Sequence, residues 1–200
     1  MFRFILPLTL SYFLGSLPTA YLVGKKVKGL DIRKQGSGNV GATNVFRVVG
    51  KGWGIAVLLF DAFKGALAVG FVPRLFLSDF FLLSLLCGIA AILGHTWSLW
   101  LGFKGGKGVA TSAGVFLALA PKAAAAALVI WVLIFIWKRY VSLASIVTAA
   151  VFPVWVALFY HQERKFFLLF LISLLLLAFI LYTHRGNIKR LREGSEKGLL

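Results

Sequence analysis

The sequence predicts an all-α integral membrane protein with seven transmembrane helices. Of its 200 residues, 60% are hydrophobic and 19 are Phe, and the mean hydropathy is +0.91. This is far more apolar surface than one small soluble core can bury. The apolar residues form long runs, and about 20 of them in a row suffice for a helix to cross about 30 Å of hydrocarbon. We therefore predict a single transmembrane domain over residues 1–200.

Seven apolar stretches are assigned as spans. The first is 20 residues long and is followed by no convincing cleavage site, so we expect a retained span rather than a signal peptide. The fourth and fifth stretches are shorter than a full crossing, and Pro121 and Lys122 form the expected turn between them. The predicted spans are 4–23, 53–72, 80–101, 109–121, 123–137, 141–160 and 166–183.

The basic residues indicate the number and direction of the spans. The net charge is +16, and basic residues confined to loops between apolar spans indicate membrane orientation rather than nucleic-acid binding. Seven spans place 16 Lys and Arg on one face and 5 on the other, whereas a single span over 109–137 would divide them 11 to 9 and leave Lys122 in the bilayer. Because cytoplasmic loops carry the excess of Lys and Arg, we predict an outer N-terminus and a cytoplasmic C-terminus. The outer face then has only short connections, such as 72–79 and 161–165.

Small and polar residues are concentrated in 36–44, which we call the first glycine loop. Its sequence is GSGNVGATN. The spacing of its glycines, with Asp61 further on, imitates a dinucleotide-binding fingerprint, but that motif must follow a buried strand and this one follows a basic loop. Glycines still allow backbone N–H groups to converge on phosphate oxygens, and Arg47 adds a bidentate cation. We predict an anion site here, with a flexible interfacial linker as the alternative.

A second basic segment, 102–108, is called the second glycine loop. Its sequence is GFKGGKG. A Walker A assignment fails, because Leu101 stands where that motif needs a glycine and Gly108 where it needs Ser or Thr. The loop leads into the span that begins at Val109, whose helix N-terminus supplies unpaired N–H groups. An anion held there would contact Lys104 or Lys107; the alternative is a simple basic turn.

Two ionisable residues lie inside the second span. Asp61 and Lys64 are three residues apart and so share one helix face. Charge inside a membrane usually marks function, but we favour a structural pair that neutralises itself and locks a contact between helices, and the functional interpretation stays open. His95, beside Trp97 and Trp100, is expected to be structural.

The end of the last span carries a polar patch that returns to the same face as the two glycine loops. His184 follows the span directly, and Asn187 shares its face if the helix continues. Interfacial snorkelling explains the neighbouring Arg and Lys side chains, but it does not explain a His and an Asn. We therefore expect binding or chemistry at the cytoplasmic interface.

Four motifs, in this order along the chain, resemble the bacterial acyl-phosphate:glycerol-3-phosphate acyltransferase family. They are GSGNVGATN with Arg47, HTWSLWLGFKGGKGVAT, KRYVSLASI and HRGNIKRLREGSE. The resemblance runs from Gly15 to Glu196. It implies a seven-span enzyme of the bacterial inner membrane, with a cytoplasmic active site, that acylates position 1 of glycerol 3-phosphate from acyl phosphate. The product is lysophosphatidate, in the first acylation of phospholipid synthesis.

The resemblance also implies residue roles. The predicted catalytic residues are Ser37, Arg47, Lys104, His184 and Asn187. The predicted substrate-binding or loop-shaping residues are Gly36, Gly38, Asn39, Gly41, Asn44, Gly105, Gly106, Lys107 and Ser142. Glu196 is expected to be structural. We expect glycerol 3-phosphate, acyl phosphate and membrane lipid as partners, a monomer, and neither a cofactor nor a metal, since the six acidic residues are scattered and the three His are far apart.

The expected mechanism is direct attack of the acceptor hydroxyl on the acyl carbon. The His-x4-Asp dyad of acyl-thioester enzymes is absent, because Trp100, Phe166 and Lys189 stand five residues after the three His. An acyl phosphate has a good leaving group, so orientation and charge stabilisation can provide most of the acceleration. The base is either a substrate phosphate or His184. An acyl-enzyme on Ser37 is a further alternative.

Two other classes of protein share the apolar and basic composition. A transporter for an organic phosphate should line a path through the bilayer with polar groups, and only Asp61 and Lys64 qualify. A non-catalytic anchor for anionic lipid needs basic residues, but it needs neither two glycine loops nor His184 and Asn187. Both classes fit the sequence less well than an acyltransferase.

Overall fold

A computed structural model of the chain describes residues 2–76 and 80–199. Ten α-helices and no strands occur within these residues. The helices are α1 Phe2–Ser16, α2 Thr19–Lys28, α3 Ala42–Val48, α4 Lys51–Gly70, α5 Phe80–Thr96, α6 Val109–Leu119, α7 Pro121–Lys138, α8 Val141–Tyr160, α9 Phe166–Thr183 and α10 Arg185–Arg192. Of the predicted outer connection 72–79, residues 77–79 lie outside the described residues.

The chain divides into two compact units, Met1–Leu119 and Ala120–Leu200, which we call the N-terminal and C-terminal units. The N-terminal unit contains α1 to α6 and both glycine loops. The C-terminal unit contains α7 to α10. The single domain over residues 1–200 stays a prediction.

The first predicted span, 4–23, corresponds to the candidate span Phe4–Lys28 but consists of two helices rather than one. α1 ends at Ser16 and α2 begins at Thr19. Pro18 explains the break, since proline lacks an N–H and disfavours the helical conformation in the residue before it. α2 then continues to Lys28, five residues further than predicted, and ends at Gly29, whose left-handed φ of 67° is typical of a helix C-terminus.

Six helical segments of the described residues are long and apolar enough to cross a membrane. They are Phe4–Lys28, Lys51–Phe76, Phe81–Leu101, Pro121–Lys138, Val141–Tyr160 and Phe166–Thr183. A seventh apolar helix, α6, has 11 residues and is therefore about 16 Å long. α6 and α7 are separate helices, as predicted, but the break lies at Ala120, because Pro121 already occupies the first turn of α7. The seventh crossing stays a prediction.

Glycines bring two pairs of helices together in the N-terminal unit. Gly15 lies against the backbone of Ala91 where α1 packs on α5. Gly65 and Gly114 lie against Thr111 and Ala62, respectively, where α4 packs on α6. In each case a Cβ would collide with backbone atoms of the partner helix. Such small residues allow the close backbone approach on which helix packing in membranes depends.

The substitution Gly65→Ala is expected to lower the stability of the protein by about 1–3 kcal/mol, because the new methyl group would overlap the carbonyl of Thr111. Gly52→Ala is the matched control, since it lies on the same helix and its Cβ would meet no atom within 4 Å. The measurement is thermal unfolding followed with a thiol-reactive dye, because the single cysteine, Cys87, is buried. Equal unfolding temperatures for both variants would contradict the close packing of α4 on α6.

The C-terminal unit is a layer of three long helices followed by a short one. α8 packs against both α7 and α9, and α7 buries Ala123, Ala124 and Ala127. A hydrogen bond of 3.1 Å from Trp131 Nε1 to Ser145 Oγ joins α7 to α8. The chain bends at His184, between α9 and α10, and the polar end of the sequence begins there.

Candidate active site

Asn44 holds the first glycine loop in shape. The side chain is fully buried, and its Oδ1 accepts a hydrogen bond of 2.9 Å from the backbone N–H of Ser37. Its Nδ2 donates to the carbonyls of Ile32 and Gln35 at 3.1 and 3.0 Å. Gly36 lies directly on this amide in a left-handed conformation, with φ of 60°, which glycine adopts without steric cost. These contacts fit the loop-shaping role expected of Asn44 and Gly36.

Two predicted catalytic residues are exposed here, Ser37 in the loop and Arg47 in the helix that follows it. Ser37 is exposed and Asn39 is half-buried, Gly38 has a left-handed φ of 70°, and Gly41 directly precedes α3. Arg47 is exposed in the last turn of α3. The buried amide of Asn44 therefore supports a loop that exposes the hydroxyl of Ser37, and the guanidinium of Arg47 is exposed on the helix that follows.

The substitution Asn44→Asp is expected to destabilise the first glycine loop, because a carboxylate can still accept from Ser37 but cannot donate to the carbonyls of Ile32 and Gln35. Each buried group left unpaired costs about 1–3 kcal/mol, and we expect acyl transfer to fall with the unfolding temperature. Gln35→Glu likewise replaces an amide by a carboxylate, but on an exposed side chain beside the first glycine loop. It should leave both the rate of acyl transfer and the unfolding temperature unchanged. A wild-type unfolding temperature and wild-type activity for Asn44→Asp would contradict the supporting role.

The second glycine loop folds back onto the end of α5. The backbone N–H groups of Gly105 and Gly106 donate to the carbonyls of Thr96 and His95 at 2.9 and 3.1 Å. These carbonyls belong to the last turn of α5, where no helical partner is available. The N–H groups of Gly105 and Gly106 are thus used inside the protein, and the two glycines serve the loop by allowing close packing. The cationic groups of the loop are Lys104, which is exposed, and Lys107, which is half-buried.

The two glycine loops touch each other inside the N-terminal unit. At Gly106, a Cβ would lie 2.7 Å from the carbonyl oxygen of Val40 in the first glycine loop and would also collide with the imidazole of His95. A small pocket, partly open to solvent, lies beside this contact. Its lining comprises Ser16, Leu17, Pro18, Thr19, Val40, His95, Ser98, Leu101, Gly105 and Gly106.

A buried ion pair lies behind this pocket. Lys64 Nζ is 2.8 Å from Asp61 Oδ1, and each side chain is 1% exposed. Asp61 Oδ1 also accepts a hydrogen bond of 2.6 Å from Thr19 Oγ1, while Lys64 donates to the carbonyl of Leu17 at 3.0 Å. The pair therefore ties α4 to the break between α1 and α2. The spacing of Asp61 and Lys64 predicted the pair, but not these partners.

His95 is the site residue that the sequence did not reveal. Its Nδ1 lies 3.7 Å from Asp61 Oδ1, and its ring faces Gly106 of the second glycine loop. The sequence predicted a structural histidine among interfacial aromatic residues. No local pattern could have revealed its contact with Asp61, because the two residues belong to different helices.

In the C-terminal unit, Glu196 joins two predicted site residues, Ser142 of α8 and Asn187 of α10. Its Oε1 accepts hydrogen bonds of 2.6 Å from Ser142 Oγ and from Asn187 Nδ2, and its Oε2 accepts one of 2.7 Å from Arg190 Nε. Partial burial opposes ionisation of this carboxyl, but the three hydrogen bonds, from Ser142 first, hold the pKa of Glu196 below its usual range. These three hydrogen bonds fit the structural role expected of Glu196.

His184 is held by the end of α9. The side chain is 2% exposed, and its Nδ1 lies 2.9 Å from the carbonyl oxygen of Ile180. A carbonyl can only accept, so Nδ1 carries the proton and, in the neutral ring, Nε2 carries the lone pair. Asn187, in the first turn of α10, is likewise buried. His184 and Asn187 therefore occupy fixed positions just beyond the last apolar helix.

These features define the class of protein: a multi-pass, all-α membrane protein with two cationic glycine loops in contact. The chain belongs to the glycerol-3-phosphate acyltransferase family, whose model matches residues 5–194, and it is an enzyme of that family. A glycerol-3-phosphate acyltransferase of Desulforudis audaxviator (strain MP104C) is 47% identical, with 96% of this chain and 93% of that protein covered. A second relative, glycerol-3-phosphate acyltransferase 2 of Moorella thermoacetica (strain ATCC 39073 / JCM 9320), is 45% identical, with 98% and 97% covered.

The fold also resembles solved structures of PlsY (YgiH), described as an integral membrane glycerol 3-phosphate acyltransferase. Its glycerol 3-phosphate form superposes with a TM-score of 0.86 at 38% sequence identity, covering 97% of this chain and 94% of that one. Its lysophosphatidic acid form gives a TM-score of 0.83 at the same identity and coverage. The similarity therefore extends over nearly the whole of both chains.

Proposed function

We propose that the protein transfers an acyl group from acyl phosphate to the 1-hydroxyl of glycerol 3-phosphate, giving lysophosphatidate and inorganic phosphate. The family supports the acceptor, as do the two ligand forms of PlsY. The donor is supported by the four motifs and by the absence of a His-x4-Asp dyad from the sequence. The monomer would act at the cytoplasmic face of the bacterial inner membrane, with seven crossings and an outer N-terminus, as the 16 to 5 distribution of Lys and Arg favours.

The observation that carries this proposal is the contact between the two glycine loops at Val40 and Gly106. Both proposed substrates are phosphates, and each loop contributes an exposed cation, Arg47 from α3 next to the first loop and Lys104 from the second. A cation close to a phosphate stabilises the charge that develops as the acyl group is transferred. Two adjoining loops can therefore hold two phosphates near one reacting carbon.

In the proposed reaction the 1-hydroxyl oxygen attacks the acyl carbon and the bond from that carbon to the phosphate oxygen breaks. The leaving group is inorganic phosphate, and the hydroxyl proton passes to a substrate phosphate. His184 would orient the acceptor through a hydrogen bond at Nε2, the ring nitrogen not used by Ile180, and would leave the proton of the 1-hydroxyl to the substrate phosphate. Ser37 and Asn187 would supply hydrogen bonds from uncharged groups. Ser142 would act through Glu196, to which it donates a hydrogen bond.

The substitution His184→Gln tests the role of this histidine. Glutamine retains an acceptor but cannot take up a proton near neutral pH, so we expect a loss of about 10- to 100-fold in kcat, because orientation alone is impaired. The measurement is kcat and KM for the variant beside His161→Gln, an exposed control. A loss of many orders of magnitude in kcat with intact substrate binding would instead mean that His184 takes up the proton of the 1-hydroxyl.

The proposed function is tested by incubating the purified full-length protein with labelled glycerol 3-phosphate and either acyl phosphate or acyl-CoA. We expect labelled lysophosphatidate from acyl phosphate alone. Product from acyl-CoA alone would overturn the proposed donor, and no product from either would overturn the reaction. The same preparation, treated with acyl phosphate without acceptor, should carry no covalent acyl group; an acylated Ser37 would replace direct attack by an acyl-enzyme.

A further inference from the structure

The proposed reaction leaves one buried polar network of the N-terminal unit without a role. Asp61 Oδ1 lies 2.8 Å from Lys64 Nζ, 2.6 Å from Thr19 Oγ1 and 3.7 Å from His95 Nδ1. Asp61 and Lys64 are each 1% exposed and His95 is 8% exposed. Desolvating two charges is unfavourable, and apolar residues of similar size often pack as stably. Packing alone therefore gives no reason for this network.

His95 connects the network to the second glycine loop in two ways. Its backbone carbonyl accepts the hydrogen bond of 3.1 Å from the N–H of Gly106. Its Nε2 faces the same glycine so closely that a Cβ there would collide with it. The two ring nitrogens thus face opposite partners, with Nδ1 toward Asp61 and Nε2 toward Gly106.

Gly106 in turn is the point of contact with the first glycine loop. The carbonyl oxygen of Val40 would lie 2.7 Å from a Cβ at this position. A continuous series of close contacts therefore leads from the ion pair through the His95 ring to Gly106 and Val40. A Cβ at Gly106 would meet both the His95 ring and the carbonyl oxygen of Val40, so these three groups are closely packed.

We infer that Asp61 and His95 form a positioning pair that sets the separation of the two glycine loops. The carboxylate fixes the orientation of the imidazole, and the imidazole fixes the place of Gly106 against Val40. Lys64 pairs with the carboxylate and also donates a hydrogen bond to the carbonyl of Leu17. The inference rests on the proposed function in one respect: the loops it positions are those proposed to bind the substrate phosphates. An error of about 1 Å in such a geometry can lower the rate about 10²-fold.

The decisive variant is the double substitution Asp61→Asn with Lys64→Gln. It keeps two polar side chains of similar size and leaves the net charge unchanged, but it removes the carboxylate that faces His95. His95→Gln removes the imidazole at the other end of the contact, and His161→Gln is its exposed control. Gly106→Ala should disturb the same contact directly, because its methyl group would press on the imidazole and on the carbonyl of Val40.

The measurement is the equilibrium dissociation constant of the solubilised full chain for glycerol 3-phosphate and for acyl phosphate, each alone. We expect Asp61→Asn/Lys64→Gln, His95→Gln and Gly106→Ala to weaken binding of the same ligand by about 10-fold or more. Adding His95→Gln to the double substitution should cause no further loss, because both act on one contact. His161→Gln should bind both ligands like wild type.

Wild-type affinities for both ligands in His95→Gln, or additive losses when it is combined with the double substitution, would overturn the positioning pair. If the double substitution does not fold, the affinities of His95→Gln, Gly106→Ala and the two combined are compared instead. Additive losses in the combined variant would again overturn the positioning pair. The acyl-transfer assay separates this inference from the proposed function. Wild-type protein that binds both phosphates without turnover would reject the reaction, while the affinities of the variants would still test the pair.

Discussion

Replacing Arg47 by Gln is expected to lower kcat/KM for acyl transfer by about 10²- to 10³-fold, the typical effect of removing one donor to a developing charge. Arg47 is exposed at the end of α3, beside the first glycine loop. Its planar guanidinium can bind a phosphate through two parallel hydrogen bonds, which an amide cannot reproduce. Because the side chain is exposed, the unfolding temperature should change little.

Arg164→Gln is the control for this prediction. Arg164 is also exposed but lies in the predicted outer loop 161–165, so the same chemical change should leave kcat/KM unchanged. The measurement is initial rates over a matrix of both substrates, with the unfolding temperature recorded for each variant. Wild-type kinetics for Arg47→Gln would mean that the guanidinium contacts no substrate, and the first glycine loop would revert to an interfacial linker.

Replacing Glu196 by Ala is expected to lower both the activity and the stability of the C-terminal unit. The change removes one carboxylate that accepts from Ser142, Asn187 and Arg190. A buried donor left without its acceptor costs about 1–3 kcal/mol, and displacement of Asn187 by about 1 Å should lower the rate by about 10²-fold. Glu193→Ala is the control, because Glu193 is exposed and lies 3.9 Å from its nearest cation, on Lys189.

The stabilising effect of Glu196 also has a defined pH dependence. Its pKa is lowered from the ordinary value of 4.5, since the hydrogen bonds from Ser142, Asn187 and Arg190 outweigh the effect of burial. A carboxyl whose pKa is lowered by folding stabilises the protein above the unfolded pKa, and this stabilisation is lost as the pH falls through the folded pKa. The difference in stability between wild type and Glu196→Gln should therefore be largest above pH 4.5 and shrink below it. A difference that does not depend on pH would contradict this account.

The sequence predicted the helices well because their signal is simple. Six of the seven apolar stretches correspond to segments long enough to span a membrane, and the position of Pro121 predicted the separation of α6 from α7. Pro18 carried a similar signal for the break between α1 and α2, but the unbroken hydropathy of that stretch concealed it. Hydropathy reports burial in lipid, whereas a helix end depends on one residue and its backbone.

The candidate site was predictable where residue type alone indicates the chemistry. Two basic glycine loops on one face suggested two anions, and the structure brings these loops into contact at Gly106. The links between the loops and the rest of the protein could not be predicted, because they join residues far apart in sequence. Neither the contact of His95 with Asp61 nor the hydrogen bond of Ser142 to Glu196 leaves a local pattern.

Residue type also gave an incomplete account of the second glycine loop. Gly105 and Gly106 were predicted to bind substrate or to shape the loop, and their N–H groups donate to the end of α5. The sequence contains both the donors and the acceptors, yet only the fold decides how they pair. We therefore propose that Lys104 and Lys107, rather than these two N–H groups, would bind a phosphate at this loop.

The central claim is that the two glycine loops bind phosphates, and it is tested most directly by comparing glycerol 3-phosphate with glycerol as acceptors. The measurement is kcat/KM for both acceptors, and KM for acyl phosphate, in wild type, Ser37→Ala and Lys104→Gln. We predict that wild type strongly prefers glycerol 3-phosphate. One variant should lose much of that preference, and the other should keep it but show a raised KM for acyl phosphate. If both variants slow the two acceptors equally and leave KM for acyl phosphate unchanged, the loops do not bind phosphate.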